Sequence, residues 1–336
     1  TGFVYVVVDS EDRIIFGIKK DGTFIASKFE IPSLSVMRSS LNLFLSKRIG
    51  ANDVICWGDS LTQAGHGVGL NLRYPTILQG LLGTDFNVIN CGVGGEDVPT
   101  ISARQGGTNA IITTGFTIPA DTTTTVEISS NASIRLKSEL YDMSIKPLLQ
   151  GDGNSVNPVF IQDVECTLSY NAIGGVYSIK RNIAGVAKVI PNNSAITFRG
   201  AKYNKPLIQV LWMGANGGFH DVNDELLDYY KRLINYQKSP NFLVIGISTG
   251  SSATRAAIES LFRKEFGNKF LNIREYMSNY GLADAGISPT AQDTIDIADG
   301  RVPTSLRIDS IHFTDAGYTL IANQVYKKIQ QLGYIN

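Results

Sequence analysis

Cysteine, histidine and charged residues are all scarce in this sequence. Its 336 residues include 3 cysteines and 3 histidines, and only 18% of them are charged. The cysteines, Cys56, Cys91 and Cys166, are odd in number and far apart, which excludes a disulfide framework and a cysteine-ligated zinc site. Two of them stand in apolar runs, so we expect buried free thiols.

A surplus of one charge and a long apolar run are also missing. The 30 basic and 30 acidic residues give a formal net charge of zero, whereas a nucleic-acid-binding protein normally carries a basic surplus. The longest apolar runs, such as residues 242–247, have the length of strands and fall short of the ~18 residues that a membrane span requires. We therefore expect neither a nucleic-acid partner nor a membrane-spanning segment.

Apolar residues are nevertheless numerous enough for a large core. Hydrophobic residues make up 43% of the chain, and 33 residues are glycine, which is typical of a folded chain and not of a disordered one. At roughly 100–200 residues per domain, the length predicts about two domains, or one large domain with additions.

Residues 1–50 differ in pattern from the rest of the chain. β-Branched runs separated by two polar turns in residues 1–33 predict a three-stranded β-meander, which is too small to be stable alone. Apolar residues at helical spacing in residues 34–50, ending at Gly50, predict a linking helix. We interpret the two segments as an attachment module for residues 51–336.

Residues 51–105 and 207–336 alternate apolar strands with helical patterns. Five strands separated by helices predict a parallel sheet with helices on both faces. The predicted strands are 54–57, 87–91, 207–212, 242–247 and 269–273, and the predicted helices are 72–82, 222–236, 254–266 and 316–331. The intervening residues 106–206 are rich in Thr, Ser, Asn and Gly, with short β runs and no helical period, which predicts an inserted β-sandwich-like domain.

A serine follows the first strand of the predicted sheet, at the edge where such sheets bind ligands. It lies in the motif Gly58-Asp59-Ser60-Leu61-Thr62. Ser60 in this position can serve as a nucleophile. The alternative is a turn in which Asp59 and Ser60 only cap a helix.

An aspartate and a histidine lie three residues apart just before the last predicted helix, in the motif Asp309-Ser310-Ile311-His312. A serine nucleophile needs a base near neutral pKa, and the base needs a partner that fixes its tautomer. Asp309 and His312 can supply both from one loop. Otherwise they are a loop aspartate and a surface histidine.

Two glycine-rich turns follow the second and third strands. Residues 90–96 can offer backbone N–H groups, and residues 214–218 place the Asn216 amide at the same edge. Acyl transfer needs such donors around the developing oxyanion. The alternative is that both turns only connect strands to helices and contain glycine because they require positive φ.

Together the four motifs resemble the four sequence blocks of the SGNH hydrolases, also called GDSL esterases or lipases. The matching segments are residues 58–62, 90–96, 214–217 and 309–312. The resemblance covers residues 51–105 and 207–336, and it implies a flavodoxin-like three-layer α/β/α sandwich with the strand order 2-1-3-4-5. A lipase of the α/β-hydrolase type matches less well, because Thr62 stands where its Gly-x-Ser-x-Gly motif ends in glycine.

The resemblance implies an oxyanion hole with three donors. Ser60 resembles the nucleophile, and its own N–H resembles the first donor. Gly95 resembles the glycine that donates its N–H, with Gly92 as the alternative, and Asn216 resembles the donor that acts through its side chain. The chain departs from the family at Gly217, where an Asp usually follows the Asn, which puts the local support of this loop in doubt.

The resemblance also implies that His312 is the general base and Asp309 its orienting partner. Neither a metal nor an organic cofactor is implied. The other two histidines, His66 and His220, are candidates for the rim of the substrate pocket, and the alternative for His66 is a surface loop.

The implied reaction is ester hydrolysis through an acyl-enzyme on serine. Because the insert is rich in hydroxyl and amide side chains, it suits a hydroxyl-rich ligand better than an acyl chain. We therefore expect removal of O-acyl groups, above all acetyl groups, from a polysaccharide or glycan. The alternatives are a lipase or thioesterase of the same family and a non-catalytic glycan-binding protein that keeps the SGNH shell.

The order of the segments is similar to that of SGNH esterase domains at the ends of phage tail fibres and tailspikes. That similarity implies an extracellular or virion-associated protein, and a homotrimer if it is a fibre component. A secreted glycan esterase is the alternative. The chain begins at Thr1 without a charged and then apolar leader, so no signal peptide indicates a location, and we expect a processed or shortened piece of a longer protein.

Overall fold

The structure is a computed structural model that describes residues 3–8, 14–19, 24–26, 52–64, 69, 72–129, 136–149, 155–171, 174–203 and 206–335. The chain divides into two compact units, residues 1–48 and 49–336. The predicted linking helix 34–50 and the candidate rim residue His66 lie outside the described residues.

The first unit contains a three-stranded antiparallel sheet. Its strands are β1 (Phe3–Val8), β2 (Ile14–Lys19) and β3 (Phe24–Ala26), which pair in the order β1-β2-β3. Because neighbours in sequence are neighbours in the sheet, this is the meander that the two polar turns predict.

The second unit contains the remaining strands and the helices. Its strands are β4 (Asp53–Gly58), β5 (Asn87–Gly92), β6 (Ala110–Ile112), β7 (Phe116–Ile118), β8 (Thr125–Ser129), β9 (Leu136–Ser138), β10 (Val159–Ile161), β11 (Val164–Asn171), β12 (Val176–Arg181), β13 (Lys188–Ile190), β14 (Ser194–Thr197), β15 (Ile208–Trp212), β16 (Asn241–Ile245) and β17 (Phe270–Leu271). Its α-helices are α1 (Ser60–Gln63), α2 (Tyr74–Leu82), α3 (Val98–Gln105), α4 (Leu227–Gln237), α5 (Ser252–Phe266), α6 (Ile273–Tyr276), α7 (Leu282–Asp284), α8 (Ala291–Ala298) and α9 (Asp315–Gln331). Within the described residues, no helix is both long and apolar enough to span a membrane.

A five-stranded parallel sheet is the centre of this unit. Its order is β17-β16-β15-β4-β5, and every neighbouring pair is parallel. Counted along the chain, this is the order 2-1-3-4-5 that the resemblance implies. The carboxyl ends of β4, β5 and β15 therefore meet at one edge, where the predicted motifs begin.

Helices cover both faces of the sheet because the side chains of each buried strand alternate between them. On one face, Val54 and Cys56 pack with buried residues of α2 and α9. On the other face, Ile55 and Trp57 pack with buried residues of α3, α4 and α5. The two apolar clusters make a three-layer α/β/α sandwich, as expected. All three cysteines are buried free thiols, which confirms the expectation for the two that stand in apolar runs.

The strands of the described residues between 106 and 206 form antiparallel β structure. Seven strands pair in the order β8-β12-β11-β10-β14-β6-β9, and β7 pairs with β13 in a separate two-stranded ribbon. The apolar cluster of this sheet includes Ala103 of α3, so the sheet packs against the parallel-sheet layer. Residues 49–336 form one compact unit, and a separate sandwich-like domain stays a prediction.

Helical segments are where sequence patterns gave the least guidance. The patterns did not predict α3 or α8, because polar residues interrupt the apolar spacing of both helices. Several of these polar residues are nevertheless buried, and their side chains form hydrogen bonds. The predicted helix 222–236 begins with a π-helical turn at Val222–Leu226 before α4. The predicted fifth strand shortens to the two residues of β17.

Candidate active site

Ser60 is the first residue of α1, directly after the central strand β4. Asp59 caps this helix, since its Oδ1 accepts the N–H of Leu61 at 2.9 Å. Gly58 permits the tight passage from strand to helix, because a Cβ there would lie 2.2 Å from Thr62 Oγ1 and 2.4 Å from Trp212 O. The Ser60 N–H is among the first of a helix and has no acceptor within it.

Ser60, His312 and Asp309 form one continuous chain of hydrogen bonds. His312 Nε2 lies 2.9 Å from Ser60 Oγ, and His312 Nδ1 lies 2.8 Å from Asp309 Oδ2. Ser60 and His312 are 7% and 8% exposed, so the contact is shielded while one side remains open to a substrate. The loop before α9 thus meets the start of α1 across 252 residues of sequence.

The Asp309 carboxylate is held by its own loop. Its Oδ1 accepts the backbone N–H groups of Ile311 and His312, both at 2.7 Å. Partial burial by itself would raise the pKa of Asp309, but these bonds and the contact with the His312 ring outweigh it and hold that pKa at about 2. The carboxylate therefore stays ionised at neutral pH, and it orients the His312 ring so that Nδ1 carries the proton.

The turn after β5 contains Gly95 and contacts α1. The N–H of Glu96 donates to Val93 O at 3.3 Å, which closes a four-residue turn. Gly95 is its third residue and has φ +82°, a conformation that favours glycine. Gln63 of α1 supports the turn, because its side-chain oxygen accepts the Gly94 N–H at 2.6 Å.

Gly92 has a different task from Gly95. Its N–H already donates to Asn90 Oδ1 at 2.9 Å, which leaves Gly95 as the better placed of the two candidate donors. A Cβ on Gly92 would lie 2.2 Å from Gln63 N, so this glycine allows β5 to pass against α1. Asn90 joins the same elements through its side-chain N–H, which donates to Thr62 O at 3.2 Å.

Asn216 reaches the Gly95 turn from the loop after β15. Its Nδ2 donates to Glu96 O at 3.0 Å, and an amide carries a second N–H that can serve another acceptor. Gly217, the position at which the chain departs from the SGNH pattern, has φ +70°. Its carbonyl accepts the Val98 N–H at 3.1 Å, so a backbone hydrogen bond ties this loop to α3.

A buried ion pair that the sequence patterns did not predict supports the Gly95 turn. Arg104 of α3 and Glu96 are fully buried, and Arg104 Nε lies 2.5 Å from Glu96 Oε2. Arg104 also donates to Cys91 O at 3.0 Å and to Ser155 Oγ, while Glu96 Oε1 accepts the Leu148 N–H at 3.0 Å. The pair therefore connects the end of β5 with two segments of the β-rich region.

Asp59 is a second carboxyl group close to the reacting atoms. It is 1% exposed, and its Oδ2 has no hydrogen-bond partner among the described residues. Burial raises the pKa of Asp59 to about 7, although the Leu61 N–H and the charge of His312 act in the opposite direction. The carboxyl therefore keeps its proton in mildly acidic solution.

We expect Asp59→Asn to change how stability depends on pH. The native Asp59 holds its proton up to about pH 7, whereas the unfolded chain releases it near the ordinary aspartate pKa of 3.8. Between these values the native state binds more protons, so the contribution of Asp59 to the free energy of unfolding falls as the pH rises and is constant above about pH 7. The unfolding free energy of wild type minus that of Asp59→Asn should therefore fall as the pH rises through that window.

Urea unfolding at a series of pH values measures this difference. Asp85→Asn is the matched control, because it makes the same substitution at an exposed aspartate. Parallel pH profiles for wild type and Asp59→Asn would contradict the buried-carboxyl interpretation.

Of the two candidate rim histidines, only His220 lies within the described residues. Its side chain is 75% exposed, and Nδ1 lies 3.3 Å from Glu225 Oε2. The backbone N–H of His220 donates to the same oxygen at 2.7 Å. His220 is thus turned toward the start of the helical segment before α4, and a role at the pocket rim stays a prediction.

Comparisons with known proteins find similarity among solved structures. No protein-family model matches the sequence, and a search of curated proteins finds no match. A carbohydrate acetylesterase family member from Sinorhizobium meliloti has 13% identity and a TM-score of 0.36 over 84% of this chain and 98% of that chain.

Two further similar structures are also esterases by name. An acetyl xylan esterase has 14% identity and a TM-score of 0.40 over 82% of this chain and 99% of that chain. An aryl esterase from M. smegmatis has 14% identity and a TM-score of 0.34 over 84% and 99%. At these identities the likeness concerns the fold alone.

The fold and the site belong together, because the hydrogen-bonded side chains lie at one edge of the central sheet. The fold is an α/β/α sandwich with a five-stranded parallel sheet, and a hydrogen-bonded serine–histidine–aspartate chain lies at the carboxyl edge of that sheet. Such a chain, on any fold, is recognised by its geometry and by the roles of its members.

Proposed function

We propose that the protein is a serine esterase that removes O-acetyl groups from a carbohydrate. The observation that carries this proposal is the chain from Ser60 Oγ to His312 Nε2 at 2.9 Å and from His312 Nδ1 to Asp309 Oδ2 at 2.8 Å. A serine hydroxyl is a weak nucleophile until a base accepts its proton. Here a base lies within hydrogen-bond distance, and a carboxylate holds its ring in the required orientation.

The first half of the reaction acylates the serine. Ser60 Oγ attacks the ester carbonyl carbon while His312 Nε2 takes the hydroxyl proton, and the resulting imidazolium is stabilised by Asp309. The negative charge on the carbonyl oxygen is stabilised by the N–H of Ser60, the N–H of Gly95 and the amide of Asn216. His312 then gives its proton to the sugar oxygen as the C–O bond breaks, which leaves an acetyl group on Ser60.

The second half regenerates the enzyme. A water molecule gives a proton to His312 and attacks the acetyl carbonyl carbon, and the same three donors stabilise the oxyanion. The bond to Ser60 Oγ then breaks, Ser60 recovers its proton from His312, and acetate leaves. One water is consumed for each acetate and each free sugar hydroxyl produced.

The β-rich region supports a carbohydrate as the alcohol part of the ester. Its Leu148 N–H and Ser155 Oγ bond to Glu96 and Arg104, so the region is anchored next to the Gly95 turn. Its many hydroxyl and amide side chains suit a hydroxyl-rich ligand. We extend the proposal to a polysaccharide substrate of an extracellular or virion-associated protein, with residues 1–50 as its attachment module.

Acetate release tests this function directly. Wild type and Ser60→Ala are incubated with p-nitrophenyl acetate and with a panel of O-acetylated polysaccharides. We expect release by the wild type, strongest on one polysaccharide, and a loss of roughly 10⁴-fold or more in Ser60→Ala, because the nucleophile is gone.

The other outcomes separate the alternatives. Hydrolysis of the small ester alone would contradict the polysaccharide substrate and favour a lipase or thioesterase. Equal turnover by Ser60→Ala would contradict the nucleophile, and no release by folded wild type would favour a glycan-binding protein without catalysis.

A further inference from the structure

A cavity of about 540 Å³ lies between two of the loops that carry proposed site residues. On one side it is lined by Gly214, Ala215 and Gly217, which flank Asn216 in sequence. On the other side it is lined by Ser310 and Ile311, the two residues between Asp309 and His312. The cavity therefore borders two loops of the proposed site, although the proposed catalytic residues themselves do not line it.

The charges that line the cavity are all positive. Arg255, Arg301 and Arg307 contribute to its wall, and no acidic residue does so among the described residues. Arg301 lies 3.2 Å from Asp296 and 2.8 Å from Asp299, and Arg307 lies 3.0 Å from Asp296. Two of the three arginines are therefore neutralised from behind by carboxylates that do not line the cavity.

Arg255 is the cation that remains. It is 8% exposed, and no ion pair with a carboxylate joins it to any residue that the structure describes. Its guanidinium donates only to backbone carbonyls, those of Gly250 and Asp299. Burying a charge without an opposite charge is costly, which is a reason to expect an anion at this position during function.

Three buried polar atoms of the cavity wall lack partners. Ser248 Oγ, Arg301 Nε and Arg307 Nε are each buried without a hydrogen bond among the described residues, and all three residues line the cavity. Buried donors in folded proteins are nearly always paired. The wall behind the cavity surface therefore carries polar atoms that no described residue satisfies.

The local helix adds to the positive potential. Arg255 lies in the first turns of α5, whose cap is Ser251, and Gly250 and Thr254 at the same helix end also line the cavity. The N-terminus of a helix already carries partial positive charge. An arginine here therefore weakens the helix through charge repulsion. A bound anion would offset this repulsion.

We propose that this cavity is a subsite for the carboxylate of an acidic sugar, so that the substrate is an O-acetylated acidic glycan. The inference rests on the proposed esterase function for its connection with acetyl removal. The Arg255 guanidinium donates to backbone carbonyls and to no described carboxylate, and its planar fork fits a carboxylate in a bidentate manner.

A binding experiment tests the subsite without relying on turnover. In the Ser60→Ala protein, isothermal titration compares trigalacturonate with its fully methyl-esterified form, which keeps the sugar backbone and carries a neutral methyl ester in place of each charge. We expect clearly tighter binding of the acid. Adding Arg255→Gln should weaken binding of the acid by roughly 10- to 100-fold, the value of a lost charge-assisted hydrogen bond, and should leave the methyl ester unaffected.

Two further variants protect this comparison against misfolding. Arg255→Lys keeps the charge and loses the fork, so it should bind the acid with intermediate affinity. Arg263→Gln on the same helix is the matched control, because Arg263 is 57% exposed, pairs with Glu275 and does not line the cavity. Its affinity for both trisaccharides should equal that of the parent protein.

Equal affinity for the acid and its methyl ester would overturn the proposal. An equal loss of affinity for both ligands in Arg255→Gln would also overturn it. Tighter binding of a sulfated trisaccharide than of the carboxylate would overturn the assignment to an acidic sugar.

In the active protein, Arg255→Gln should also reduce the kcat/KM ratio of O-acetylated pectin to O-acetylated xylan by about 10- to 100-fold. If binding discriminates but wild type releases no acetate from any substrate, the esterase proposal fails while the anion subsite stands.

Discussion

Replacing His312 by glutamine is expected to lower kcat for acetate release by roughly 10⁴- to 10⁶-fold. Glutamine can keep a hydrogen bond to Ser60 Oγ, which lies 2.9 Å from His312 Nε2, but its amide cannot accept the serine proton at neutral pH. The loss thus isolates proton transfer from packing. Initial rates on p-nitrophenyl acetate, with thermal melts to show that the fold is kept, provide the measurement.

His220→Gln is the matched control for this variant. The His220 ring is 75% exposed and contacts Glu225, so kcat should remain near the wild-type value. If His312→Gln kept full activity while His220→Gln lost it, the assignment of the base would move from His312 to His220.

Replacing Arg104 by methionine is expected to reduce the free energy of unfolding by about 3–5 kcal/mol. The side chains of Arg104 and Glu96 are both 0% exposed, so the variant leaves the Glu96 carboxylate buried without its opposite charge. The variant also removes the donors to Cys91 O and Ser155 Oγ. Urea unfolding measures the loss.

Two comparisons separate the ion pair from the general effect of losing an arginine. Arg232→Met breaks a half-exposed pair with Asp228 on α4 and should cost only about 0–1 kcal/mol. The double variant Arg104→Met with Glu96→Gln should recover part of the loss, because no unpaired charge remains. A cost for Arg104→Met no larger than that for Arg232→Met would contradict a structural role of the buried pair.

The Arg104–Glu96 ion pair also helps to position two of the proposed oxyanion donors. The backbone of Glu96 follows Gly95 directly, and Glu96 O accepts the Asn216 amide at 3.0 Å. Two of the three proposed oxyanion donors are therefore held by the residue that Arg104 anchors. Arg104 and Glu96 act through these donors and touch no reacting atom in the proposed mechanism.

The strand and helix patterns predicted the parallel sheet because its strands are buried on both faces and read as apolar runs. The ordered motifs then located Ser60, Asn216, Asp309 and His312, because each follows a strand end or precedes the last helix. Helices α3 and α8 were missed for a physical reason. Arg104 in α3 and Asp293 in α8 are buried polar residues satisfied by partners outside their own helices, and periodicity counts such residues as exposed.

By itself, the sequence determined the fold class, the strand order implied by the resemblance and the four motifs, since these depend on residue type and spacing. Only the tertiary structure decided that Ser60 and His312 lie 2.9 Å apart, that Gly92 has already used its N–H, and that Arg255 lines a cavity between two loops of the proposed site. Those facts depend on which side chains meet when distant segments pack together. Hydrogen bonds and buried charges are satisfied or left unsatisfied only after that packing has taken place.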